Sequence, residues 1–136
     1  MSKVISIDYG LKRIGVAISD SSQTIASPLT CISHNEIYNF LYDLISNQKI
    51  SDIVVGYALN LDGSSTDITS KTCSFVENLK TKFSKIRIHM VDERFTSKIA
   101  KQAILKSGVS KKKRSDKSLV DMVSATLILQ DYLNHK

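Results

Sequence analysis

Near the start of the chain, Val4-Ile5-Ser6-Ile7 is a mostly apolar, β-branched run of the kind that becomes a buried strand. It ends in Asp8, and Tyr9-Gly10 follows as a turn whose glycine is free to take positive φ. Ile14-Gly15-Val16-Ala17-Ile18 then reads as a second strand, so the segment predicts a hairpin. Such a hairpin sets a carboxylate where a core strand emerges, with Lys12 and Arg13 in the turn beside it. An acid in that position suits a metal or phosphate site. It suits a plain turn equally well, because Asp starts turns readily, and the rest of the chain has to separate the two.

Downstream, Ser19 to Gln23 reads as a turn, and Thr24 to Ser33 as a third strand broken near Pro28, which suits a sheet edge. Asn35 is placed to cap a helix running to about Asn47, with Ile37, Phe40, Leu41, Leu44 and Ile45 along one side. Asp52-Ile53-Val54-Val55-Gly56 is a short apolar strand fit for burial on both faces of a parallel sheet, and it opens into a polar loop, Tyr57 to Ser65. A helix from about Asp67 to Phe83 carries Ile68, Phe75, Val76, Leu79 and Phe83 at helical spacing. Ile86 to Val91 is a fifth strand ending in Asp92-Glu93-Arg94. Thr96 or Ser97 caps a further helix closed by Gly108. After the basic loop Ser110 to Ser115, a last helix spans about Asp116 to Asn134. The order β-β-β-α-β-α-β-α-α predicts an α/β domain with a five-stranded mixed sheet, antiparallel at the start and parallel afterwards, with helices on both faces.

Length and composition narrow the function. At 136 residues the chain is one domain, residues 1–136, with a real core and no room for two lobes. A formal net charge of +6 favours an anionic partner, nucleic acid first, although a moderate excess also serves solubility. Cys31 and Cys73 show neither CxxC spacing nor a pairing pattern, and Met1-Ser2-Lys3 leads straight into a strand. Together these predict reduced thiols in a cytoplasmic protein without a signal peptide or a membrane partner.

In a sheet of this kind ligands gather beyond the C-terminal ends of the parallel strands. If the first, fourth and fifth strands run parallel, Asp8, the loop holding Asn60, and Asp92-Glu93 share that edge. Alternation lets only one of Asp92 and Glu93 face the site, and Glu93 is the preferred one. Arg94 beside it reads either as a surface ion pair or as a site residue. A third acid, Asp121, lies in the first turns of the last helix among Leu119, Val120, Met122 and Val123. Small Ser124 and Ala125 on its own face would let that face approach the sheet. The competing reading has Asp121 serving the helix N-terminus or pairing with Lys117. Three acids without His or Cys suit Mg²⁺ or Mn²⁺ rather than zinc, and a pair of such ions performs in-line phosphodiester cleavage. Lys112, Lys113 and Arg114 either form a solvated loop or track a phosphate backbone. His34, His89 and His135 show no ligand spacing and read as structural or surface residues.

With these residues in view, the chain resembles the YqgF-type, or RuvX-like, family of bacterial ribonuclease H-fold proteins. Its members are described as pre-16S ribosomal RNA nucleases and, earlier, as Holliday junction resolvases. Asp8 through Ala17 is similar to the family's opening motif. Val54-Val55-Gly56 with Leu59 to Ser64 resembles its central loop, Val91 through Thr96 its D-E-R-x-T motif, and Val120-Asp121 through Leu129 its terminal helix. The resemblance implies Asp8, Glu93 and Asp121 as metal-binding catalytic acids holding two Mg²⁺ or Mn²⁺ ions. Lys12, Arg13, Asn60, Arg94, Lys112, Lys113 and Arg114 are the expected substrate contacts. Tyr57-Ala58 departs from the family's usual Leu-Pro, which bears on substrate fit.

The expected activity is that of a hydrolase acting on ester bonds: a metal-dependent endonuclease of structured nucleic acid, processing the 5′ end of pre-16S rRNA in ribosome biogenesis. Partners would be pre-rRNA or branched DNA, with the ribosome a further candidate, and the chain a monomer or homodimer. A Holliday junction resolvase would need two active sites and hence a dimer. A non-catalytic RNA-binding module would keep the fold without using the acids. Actin-like phosphotransferases share the strand–Asp–x–Gly hairpin, but they need two lobes that this length cannot supply.

Overall fold

Alternating β-branched residues build three opening strands, β1 (Lys3–Tyr9), β2 (Ile14–Ser19) and β3 (Ala26–Ile32), which pair antiparallel in sequence. There follow α1 (Ile37–Asn47), β4 (Ile50–Tyr57), α2 (Asp67–Lys82), β5 (Arg87–Asp92) and α3 (Lys117–His135). This computed structural model describes residues 2–10, 12–57, 67–92 and 117–136. The expected helix from Thr96 or Ser97 to Gly108, and the loops at 58–65 and 110–115, lie outside the described residues.

β4 pairs parallel with both β1 and β5, giving one five-stranded sheet in the order β3-β2-β1-β4-β5. The mixed sheet expected from the element order is therefore present, with β1 at its centre. β3 is an edge, and its register with β2 shifts between Val16 and Ala17, opposite Thr30 and Pro28. The shift accommodates a proline that cannot donate to the ladder.

Side-chain alternation divides the core in two. Ile5 and Ile7 of β1, Ile14 and Val16 of β2, and Ile53 and Val55 of β4 face α1 and α2, where Ile37, Leu41, Phe75, Val76, Leu79 and Phe83 cover them. Val4, Ala17 and Val54 point the other way and are covered by Ala125, Ile128, Leu129 and Leu133 of α3. Helices thus lie on both faces; the apolar stripe read from the sequence for α1 packs, as do Phe75, Val76, Leu79 and Phe83 of the stripe read for α2.

One expectation at a helix end is corrected. The N-cap of α1 is Glu36, without a side-chain cap, and not Asn35. The Glu36 N–H donates to the Ser33 carbonyl, a turn that takes up Asn35 before the helix starts, and the Glu36 carbonyl accepts from the Phe40 N–H. Among the described residues no helix is long and apolar enough to cross a membrane, and Cys73 is an exposed cysteine outside any disulfide.

Candidate active site

Period-two alternation along β1 sends Val4, Ser6 and Asp8 toward α3. Asp8 is 9% exposed near the end of the central strand, at the C-terminal edge that β1 and β4 share. Its cross-strand neighbours are Gly15 on β2 and Gly56 on β4. The carboxylate is thus flanked on both neighbouring strands by residues without side chains, positions where another backbone or a ligand can approach closely.

The turn after Asp8 is held from two directions. The Gly10 N–H donates to the Arg13 carbonyl at 3.1 Å, and His34 Nε2 donates to the Gly10 carbonyl at 2.7 Å. A Cβ at Gly10 would stand 2.6 Å from the Arg13 oxygen, so this turn excludes any other residue there. The Tyr9 ring packs on His34 and Phe75, at centroid distances of 4.8 and 4.7 Å. Burial, followed by the nearby Tyr38, pushes the Tyr9 phenol above its ordinary range. Lys12 is exposed on this turn and Arg13 is half-buried.

α3 approaches the sheet most closely at the next step. A Cβ built on Gly15 would lie 2.2 Å from the Asp121 carbonyl oxygen, so only glycine lets the start of α3 settle over β2. One turn further on, the Ser6 hydroxyl donates to the Ala125 carbonyl at 2.5 Å. Ser124 and Ala125 are both buried, in keeping with the close approach read from their small size. Because Gly15 is also the partner of Asp8, one residue brings the strand acid and the helix acid to the same place.

Asp121 meets a base that the sequence did not suggest: Arg13 Nε lies 2.7 Å from Asp121 Oδ2. The two side chains are 28% and 25% exposed. The Arg13 Nε–H is nevertheless without a well-directed hydrogen bond, so the contact is ionic rather than a formed N–H···O bond. Among the described residues, the buried side-chain polar atoms lacking a hydrogen-bond partner are Arg13 Nε and Ser124 Oγ. The first touches Asp121 and the second lies three residues along α3 from it.

The remaining expected site residues divide as follows. Val91 packs in the core under α3, so its neighbour Asp92 alternates to the opposite face from Asp8. Glu93, Arg94, Asn60, Lys112, Lys113 and Arg114 lie outside the described residues. Among the described residues no three His, Cys, Asp or Glu side chains group as a metal cluster. Three features were missed from sequence: the glycines beside Asp8, the Arg13–Asp121 pair, and a polar cluster at the other end of the sheet. A glycine inside each of two strands, Gly15 and Gly56, was the available signal for the first.

That cluster centres on Asp52, 5% exposed. It accepts from the Ser51 hydroxyl at 2.5 Å, Arg87 Nη2 at 3.1 Å and His89 Nε2 at 2.7 Å. The Tyr132 hydroxyl of α3 stands 3.4 Å from the same His89 nitrogen. Burial alone would raise the Asp52 carboxyl, but the donors from Ser51, His89 and Arg87 together outweigh it and hold the group below its ordinary range. His89 is therefore structural, as expected.

Comparison with known proteins follows the same line. A family model described as "RuvX: Holliday junction resolvase" matches residues 2–135. A protein of Flavobacterium johnsoniae named "Putative pre-16S rRNA nuclease" is 42% identical over 136 residues, covering 100% of this chain and 99% of its own length. Proteins of the same name from Flavobacterium psychrophilum and Bacteroides thetaiotaomicron are 45% and 39% identical, again over 100% of this chain and 99% of theirs. Among solved structures, Thermus thermophilus RuvC in complex with a Holliday junction substrate superposes with a TM-score of 0.61, covering 99% of this chain and 96% of that one. At 12% identity that likeness is one of fold, the ribonuclease H-like fold. Matched along nearly its whole length by the family model and by relatives of about the same size, the chain belongs to the RuvX family.

Proposed function

We propose that this protein is a divalent-metal-dependent endonuclease that hydrolyses phosphodiester bonds of structured nucleic acid, with the 5′ end of pre-16S rRNA as its substrate. The observation that carries the reading is the seating of α3's Asp121 over Gly15, the cross-strand partner of Asp8, at the C-terminal edge of the sheet. The names of the relatives support the substrate, and the formal charge of +6 suits a polyanion.

The donors offered on this face are carboxylate oxygens and the buried, unpartnered Ser124 hydroxyl, a set that fits a hard cation such as Mg²⁺ or Mn²⁺. Asp8, Glu93 and Asp121 are the residues that would hold two such ions. When bound, such ions lower the pKa of an attacking water and stabilise the leaving oxygen. The chain's own residues supply the rest. Gly15 and Gly56 keep side chains away from Asp8, and the Gly10 turn fixes the direction in which Lys12 and Arg13 leave the sheet. Lys12, Arg13, Asn60, Arg94, Lys112, Lys113 and Arg114 would contact phosphate or flanking nucleotides. On this reading the protein works in the cytoplasm, with pre-rRNA and the ribosome as its partners.

The family model's own description favours a second reading, cleavage of four-way DNA junctions. The two separate on purified protein with Mn²⁺, given pre-16S RNA and a four-way junction in parallel. Cleavage of the RNA, lost with Asp8→Asn, is the expected result. Cleavage confined to the junction would move the assignment to a resolvase.

A further inference from the structure

We infer that Arg13 is a shared cation. In the metal-free protein it neutralises Asp121, and it leaves Asp121 for the nucleic acid phosphate when the divalent ion takes its place. The inference rests on the metal-site reading of Asp121 given above.

Three observations carry it. Arg13 Nε sits 2.7 Å from Asp121 Oδ2, close enough for ion pairing. Its N–H is not directed at that oxygen, so a buried donor stays unspent beside the site. Both side chains keep about a quarter of their surface in contact with solvent, so neither is locked in a closed interior. A guanidinium in that condition holds a carboxylate by charge while keeping donors for a phosphate, the ligand its fork fits best. The backbone does not have to move for the exchange. Arg13 is anchored by its own carbonyl to the Gly10 N–H, and Asp121 by its backbone over Gly15. Only the side chain swings. The geometry makes metal and nucleic acid cooperative: each ligand removes the partner that competes for the other's residue, and the coupling is reciprocal.

The consequence is measurable without turnover. Metal-free binding of a labelled oligoribonucleotide should tighten about two- to fivefold in Asp121→Asn, the range an exposed ion pair supports. In an Arg13→Gln background the same Asp121→Asn change should do nothing, giving a non-additive double-mutant cycle. Calorimetric Mn²⁺ binding without nucleic acid should tighten about two- to fivefold in Arg13→Gln and by less in Lys12→Gln, which removes equal charge without touching Asp121. Arg13→Lys, which keeps the charge, should stay near the parent. An additive cycle, or equal Mn²⁺ effects of Arg13→Gln and Lys12→Gln, overturns the inference while leaving the metal site standing. Mn²⁺ affinity unchanged in Asp121→Asn overturns both.

Discussion

The two halves of α3 meet the sheet in opposite ways. Toward its C-terminal end, Tyr132 joins a network in which Asp52 is almost fully buried and accepts from Ser51, Arg87 and His89. Gln130 accepts from the Ala26 N–H and donates to the Thr24 carbonyl, fastening the same half to β3. Near its start, Asp121 meets Arg13 through charge without a directed hydrogen bond, and Ser124 Oγ is buried with no partner among the described residues. Buried polar groups in native proteins are normally satisfied, and each exception calls for an explanation such as strain, a catalytic role or a bound water or ion. One end of α3 is tied into a satisfied polar network, and the other is the end that carries the proposed metal site.

This contrast can be broken or sharpened by substitution. The largest effect belongs to Gly15→Ala, since the added carbon would meet backbone, the Asp121 carbonyl at 2.2 Å, and backbone cannot rotate away. A loss of about 3 kcal/mol in urea unfolding is expected, near the upper end for overpacking. A variant as stable as the parent would mean that α3 is not held by this contact.

Next is the pair Asp52→Asn and Asp121→Asn. The first should cost about 2 kcal/mol, because buried donors lose a charged acceptor, and should leave metal binding intact. The second should cost less than about 1 kcal/mol in the metal-free protein. It should also lose the rise in melting temperature that Mg²⁺ gives the parent. Equal Mg²⁺ shifts in the parent and Asp121→Asn would erase the functional difference between the two ends.

The smallest effect is one of pH. The Asp52 carboxyl is held below its ordinary range when folded, so its contribution is complete above the unfolded value of about 3.9 and fades as pH falls through the folded one. Asp52→Asn should therefore flatten the fall in melting temperature below about pH 4. An acid limb as steep as the parent's would assign acid sensitivity to other carboxylates.

Much of the fold could be read from periodicity, because period-two runs and helical stripes report which faces are buried, as in β1, β4, α1 and α2. The α1 cap could not, because Asn35 and Glu36 compete for the turn that Ser33 closes, and the local sequence carries no preference between them. At the site, Asp8 was visible through its position between a strand and a turn. The pairing of Asp121 was not. Its contact with Arg13 is made by a hairpin more than a hundred residues away, which no pattern within the helix reports. Asp52 was read only as the first residue of a strand. Its burial depends on His89 and Arg87, which reach it only through the parallel register of β4 and β5.

The most direct measurement compares Mn²⁺-dependent cleavage of pre-16S RNA by the parent, Asp8→Asn and Asp52→Asn, each checked for folding by its unfolding curve. Asp8→Asn should be folded and slower by at least about a hundredfold, since even the outer partners of metal ligands cost about 10- to 100-fold. Asp52→Asn should be less stable but active wherever it is folded. An Asp8→Asn protein that cleaves at the parent's rate would contradict the assignment of catalysis to this edge of the sheet.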